Sequence, residues 1–103
     1  MKLDYKNFDY IIINICYGGF GVSDKALKDL GISTEIFLDS EKLRTNKELI
    51  ELLIKKGSEY CSNRFAKLAL VKIPKGTPWE ISDYDGIESL VMYLKVEEVE
   101  IPD

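Results

Sequence analysis

The chain has 103 residues, 46% apolar and 31% charged, with two cysteines, no histidine and a formal net charge of −4. That length fits one domain, residues 1–103, able to bury a core without a metal or a disulfide. The charge excludes a broad basic face for DNA or RNA duplexes, and the missing histidine removes Ser-His-Asp triads, Cys-His dyads and His-ligated metals together.

No apolar run reaches the ~20 residues that a membrane span needs, and Met1-Lys2-Leu3-Asp4 opens without a signal-peptide core. The expectation is a cytoplasmic protein, off the membrane, with Cys16 and Cys61 as reduced thiols. Residues 1–9 read as a lead-in. Tyr10 to Cys16 is β-branched and almost continuously apolar, the pattern of a central strand buried on both faces. Gly18, Gly19 and Gly21 stop it. Ser23 then suits an N-cap, Asp24 the first helical turn, and Gly31 the C′ position of a short helix from Asp24 to about Leu30.

Ile32 to Ser40 reads as a brief strand or an irregular crossing, and Glu41 to Asn46 as polar connection. Thr45-Asn46-Lys47-Glu48 matches a capping box. Leu49, Ile50, Leu52, Leu53 and Ile54 recur at helical spacing, and Gly57 ends the helix. Ser58 to Asn63 reads as a turn, Arg64 to Ile73 as a long strand stopped at Pro74, and Trp79 to Tyr84 as a strand with one solvated face. Asp85-Gly86 is a hairpin signal that returns the chain antiparallel from Ile87 to Leu94, and the acidic end from Val96 adds an edge strand or frays. The sum is an α+β domain, a mostly antiparallel β-sheet with two α-helices packed on one face.

Chemistry centres on the strand–loop–helix junction. Gly18, Gly19 and Gly21 permit positive φ and close approach of a ligand, although the spacing is neither a Rossmann fingerprint nor a P-loop; a purely steric corner is the other reading. Tyr17 and Phe20 flank the glycines and suit stacking on a planar ring, unless one plugs the core. Asn14, polar in an apolar strand, either pins the loop or reads a ligand edge. Cys16 stands where nucleophiles occur, but with no histidine to lower its pKa it reads as a structural thiol. Arg44 and Arg64 are the only arginines, and each invites a bidentate carboxylate or phosphate contact. The candidate ligand-binding set is Asn14, Cys16, Tyr17, Gly18, Gly19, Phe20, Ser23, Asn63, Arg64 and Tyr84, with no catalytic residue, metal site or cofactor.

Asn14-Ile15-Cys16-Tyr17-Gly18-Gly19-Phe20 with Ser23-Asp24, then Asn63-Arg64-Phe65-Ala66-Lys67-Leu68, Ile73-Pro74, Trp79-Glu80-Ile81 and Tyr84-Asp85-Gly86-Ile87-Glu88, resembles a pattern in small uncharacterised proteins of bacteriophages and prophages. The resemblance spans residues 10–90 and implies a soluble accessory protein that works by binding inside a host cell. The first expectation is therefore a non-enzymatic protein, homo-oligomeric, that sequesters a small nucleotide-like ligand such as a host defence signal. The alternative is a protein–protein interaction module that binds and inhibits a host protein and has no small-molecule pocket.

Overall fold

The computed structural model describes residues 3–32, 40–91 and 97–103. In chain order these form β1 (Phe8–Asn14), α1 (Asp24–Asp29), α2 (Ser40–Arg44), α3 (Lys47–Lys56), α4 (Ser58–Cys61), β2 (Leu68–Pro74), β3 (Glu80–Tyr84), β4 (Ile87–Val91) and β5 (Glu97–Val99). Every pairing is antiparallel: β2 lies between β1 and β5, and β3 pairs with β4 in a separate hairpin. This is the expected α+β fold. No helix among the described residues is long and apolar enough to cross a membrane.

Strand alternation explains the layering. From β1 and β2, Tyr10, Ile12, Leu68 and Leu70 pack with Ala26, Leu27, Leu49, Ile50 and Leu53 of the helices. The intervening residues Ile11, Ile13, Val71 and Ile73 face the other way and pack with Trp79, Ile81 and Leu90 of the hairpin. β1 is thus buried on both faces, as its composition predicts, because helices cover one side and the hairpin the other. It is not central by hydrogen bonding, a position taken by β2.

The helix signals act locally. Ser23 Oγ accepts the Ala26 N–H at 3.1 Å, and past the end of α1 the N–H groups of Gly31 and Ile32 donate to Lys28 and Leu27 carbonyls in a Schellman arrangement. For α3 the cap is Asn46, one residue beyond the expected Thr45, with Oδ1 accepting the Leu49 N–H at 2.9 Å. In the hairpin, Asp85 and Gly86 both adopt positive φ, 51° and 90°, as a two-residue type I′ turn requires.

Three expectations need correction. The polar connection after Ser40 contains α2, which buries Leu43 and Arg44. The turn after Gly57 is the helical turn α4, whose leading N–H groups at Ser58 and Glu59 donate to the carbonyls of Pro102 and Asp103. Long-range partners of that kind leave no local trace in sequence. The strand expected from Arg64 begins only at Leu68, because Asn63 holds a turn: its Oδ1 accepts the Phe65 N–H at 3.0 Å and its carbonyl accepts the Ala66 N–H at 3.2 Å. The crossing expected between Ile32 and Ser40, and the end of the strand expected to reach Leu94, lie outside the described residues.

Cys61 lies fully buried in the helix-side core. Burial, with the Asp29 carboxylate adding to it, pushes its thiol up to about 11 from an ordinary 9. Because the unfolded thiol ionises first, the native state loses stability as pH rises from 9 to 11, and the loss ends above that window. Urea midpoints at pH 8, 9, 10 and 11 in reducing buffer are expected to decline more steeply for the parent than for Cys61→Ala; equal slopes would contradict this assignment.

Candidate functional site

The strand β1 ends in a polar junction. Asn14 is fully buried and its side-chain amide uses all of its capacity. Nδ2 donates to the carbonyls of Cys16 at 2.7 Å and Gly86 at 2.6 Å, while Oδ1 accepts the Lys67 N–H at 2.8 Å and the Cys16 thiol at 3.4 Å. One amide therefore ties together the end of β1, the approach to β2 and the β3–β4 turn. No donor or acceptor is left on it for a ligand edge. The single hydrogen of the Cys16 thiol is shared between Asn14 Oδ1 and the Phe65 carbonyl, which lies 3.2 Å from the sulfur, so the thiol acts as part of the same brace.

Beside Asn14 lies a buried ion pair. Arg44 Nη1 and Nη2 meet Glu88 Oε1 and Oε2 at 2.7 and 2.6 Å in a bidentate fork, and the two side chains are 7% and 4% exposed. Arg44 Nη1 also donates to the Ile12 carbonyl at 3.1 Å, and Glu88 Oε1 accepts the Asn14 backbone N–H at 2.8 Å. Ile12 and Asn14 point these groups away from β2, so the pair occupies the edge of β1 that no described strand covers. The Phe20 ring stacks on the guanidinium, 4.1 Å from ring centroid to Cζ, and closes the assembly. Among the described residues no buried side-chain polar atom lacks a partner.

The glycine loop fits closely over this junction. A Cβ at Gly18 would lie 1.5 Å from the Phe65 carbonyl oxygen, and one at Gly86 would lie 2.7 Å from both Tyr17 O and Gly19 N. Backbone is packed on backbone there. Gly18→Ala is therefore expected to force the Asn63–Ala66 turn aside, at the upper end of the ~1–3 kcal/mol typical of overpacking. Gly19→Ala meets no atom within 4 Å but must hold φ at 85°, a strain of about 1–2 kcal/mol. Urea titration of both variants checks the order, together with the amide shifts of Phe65, which move only for Gly18→Ala.

The sequence-predicted residues divide into three groups. Asn14, Cys16, Gly18 and Gly19 form the junction, Phe20 covers Arg44, and Ser23 is buried as the α1 cap while its Oγ donates to the Tyr60 carbonyl at 2.6 Å. Tyr17 and Tyr84 project into solvent, 72% and 75% exposed. Asn63 packs on Gly21, and Arg64 lies over the Phe65 ring, 4.9 Å from its centroid. Asn63, Arg64 and Lys67 also line a cleft of about 400 Å³ with Ser58, Ser62 and Asp103. Glu88, Phe65, Ile15 and Lys67 are the additions. Glu88 shares its strand face with apolar Leu90, a phase that marks an inward carboxylate.

Ile15, Tyr17, Phe65 and Tyr84 are the exposed large hydrophobics among the described residues, and all four belong to the segments that meet at this junction. The arrangement can present an apolar face on a rigid base. No group of three His, Cys, Asp or Glu side chains among the described residues is placed to hold a metal ion. Comparison with protein-family models, with curated proteins and with solved structures finds no match to this chain.

Proposed function

We propose that the protein is a non-enzymatic protein–protein interaction module whose docking face surrounds Tyr17. The observation that supports this reading is the concentration of exposed hydrophobics on one junction, at 43% for Ile15, 72% for Tyr17, 59% for Phe65 and 75% for Tyr84. Aromatic side chains held out over a rigid backbone are what interface anchors require, because little side-chain entropy is lost on docking. The glycines favour the same reading, since Gly18, Gly21 and Gly86 are filled by backbone or by Asn63 and leave no hollow for a ligand. The phage resemblance makes a host protein the natural target class.

A photo-crosslinking residue placed at Tyr17 in the cell that makes the protein tests this. Discrete crosslinks to protein are expected from position 17 and not from Lys28 on α1. Tyr17→Ser with Tyr84→Ser is expected to weaken the captured interaction by about 30-fold or more, the effect of losing about 2 kcal/mol of aromatic anchor. Equal crosslinking from both positions, or none, overturns the reading.

The nucleotide-like ligand has one feature in its favour, the cleft where Arg64 and Lys67 flank the Ser58 and Ser62 hydroxyls. A thermal-shift panel of nucleotides and cyclic dinucleotides decides it. A true ligand adds about 2.7 kcal/mol at a hundred times its dissociation constant, and that shift must vanish in Arg64→Ala.

A further inference from the structure

We infer that the protein binds a small aromatic acid, one planar ring carrying a single anionic group, in a cleft at the start of β1. The inference is independent of the Tyr17 junction, which lies at the other end of that strand. The cleft has a volume of about 260 Å³ and is lined by the first turns of α3 and by the loop from β2 to β3. Tyr5, Tyr10 and Trp79 supply its rings. Tyr5 and Tyr10 stand edge to face with centroids 5.4 Å apart. Both hydroxyls already have partners: Tyr5 Oη donates to Glu51 Oε1 at 3.1 Å, and Tyr10 Oη accepts the Asp4 N–H at 3.0 Å. Trp79 is held against Ile11, Ile13, Val71 and Ile73, and its indole N–H donates to no described residue. A buried indole N–H ordinarily finds an acceptor, and this half-buried one is left to a ligand.

Two ammonium groups stand beside Tyr5. Lys47 Nζ lies 4.9 Å from the Tyr5 ring centroid, and Lys75 Nζ donates to the Tyr5 carbonyl at 2.9 Å. Lys47 forms no salt bridge with any described carboxylate, and Lys75 reaches only Asp9, at 3.9 Å. Asp9 is itself committed to the Gly76 N–H at 2.9 Å, and Glu51 meets Tyr5 at its hydroxyl without lining the cleft. Backbone fixes both lysines: Lys47 opens a helix capped by Asn46, and the Lys75 N–H donates to the Asn7 carbonyl at 3.0 Å. In a chain of net charge −4, the charged lining here is two cations to one carboxylate. Beyond Trp79 the sign reverses. The neighbouring cleft shares Thr45 and Trp79 with this one and carries Glu41 and Glu80 against Lys42. An acid group is therefore favoured at the lysines and a second one further along is opposed, which selects a single acid over a polyphosphate. Rings for contact and a few placed charges for orientation are the usual make-up of a small-ligand site.

Trp79 is the sole tryptophan, so a proton–nitrogen correlation spectrum holds a single indole resonance, and that resonance reports on the cleft. Benzoate and phenyl phosphate, two acids on the same ring, are titrated to about 10 mM, with acetate and benzyl alcohol as charge-only and ring-only controls. Saturable movement of the Trp79 resonance is expected with at least one ring acid, in the millimolar range that so small a ligand can supply. Whichever binds more tightly identifies the acid group as carboxylate or phosphate. Lys47→Gln with Lys75→Gln is expected to weaken this binding about tenfold or more, whereas Lys55→Gln, at the far end of α3, leaves it unchanged. Should the paired variant melt earlier than the parent, Lys47→Gln alone, which gives up no hydrogen bond, carries the comparison. No saturation with either ring acid, an equal response to acetate or benzyl alcohol, or binding indifferent to the lysine substitutions overturns the inference. Crosslinking from position 17 is unaffected by any of these results.

Discussion

Glu88→Ala is expected to lower unfolding stability by about 3–5 kcal/mol, the usual cost of removing one partner from a buried ion pair. The mechanism is specific. The guanidinium of Arg44 stays behind at 7% exposure with two of its donors unpaired, and the Asn14 backbone N–H loses its acceptor. A domain of this size has about 5–15 kcal/mol in total, so the variant is left close to its unfolding threshold. Arg44→Met is expected to do comparable damage by stranding the Glu88 carboxylate. The double variant Arg44→Met with Glu88→Ala should be less destabilised than the sum of the singles, because no charge remains buried. It should still fall below the parent, because the Ile12 carbonyl and the Asn14 N–H lose their partners, at about 1–3 kcal/mol each. Urea unfolding of all four proteins closes the cycle. Strict additivity would show that the pair is not acting as a unit.

Asn14→Asp is the second large effect, and it keeps shape while reversing chemistry. The Nδ2 that donates to Cys16 O and Gly86 O becomes an oxygen facing two carbonyl oxygens. Two hydrogen bonds are replaced by repulsions in a fully buried site, for a loss of about 3 kcal/mol or more. The pH response distinguishes this from generic damage. Hydrogen bonding to the carbonyls favours the protonated acid, so the folded-state pKa of the introduced carboxyl lies above its unfolded value. The associated stability is present below the unfolded pKa and disappears as pH rises through the folded one. The gap between variant and parent should therefore narrow on acidification, read as urea midpoints from neutral pH downward. A gap that is constant or widens would contradict the assigned roles of Nδ2.

These residues also show how far a sequence of this kind can be read. β1, the β3–β4 hairpin, α1 and α3 were legible because their signals are local: β-branched runs, Asp-Gly, a capping Ser23, and apolar residues at helical spacing. Arg44 is one of two arginines, and that scarcity alone points to a bidentate carboxylate or phosphate contact. Its partner was not legible, since Glu88 is one of eighteen acidic residues and lies 44 positions away. α2 carries one apolar residue in five and α4 is held by carbonyls from the far end of the chain, so neither has an internal pattern to detect. The glycine loop is conspicuous in the sequence, but glycine is silent on what approaches it. Here the approach is made by the backbone of Phe65 and by the Gly86 turn.

The position of the Arg44–Glu88 pair on the edge of β1 has a consequence for biosynthesis. β1 leaves the ribosome before its partners and is strongly apolar, while β2 follows more than fifty residues later and Glu88 later still. Until then the Ile12 carbonyl and the Asn14 amide stand open, offering a docking register to any extended chain nearby. Arg44 alone satisfies only the carbonyl; the amide waits for the carboxylate. Closing this edge therefore waits until synthesis has passed Glu88, and the nascent protein depends on that later carboxylate to stop β1 from recruiting neighbours.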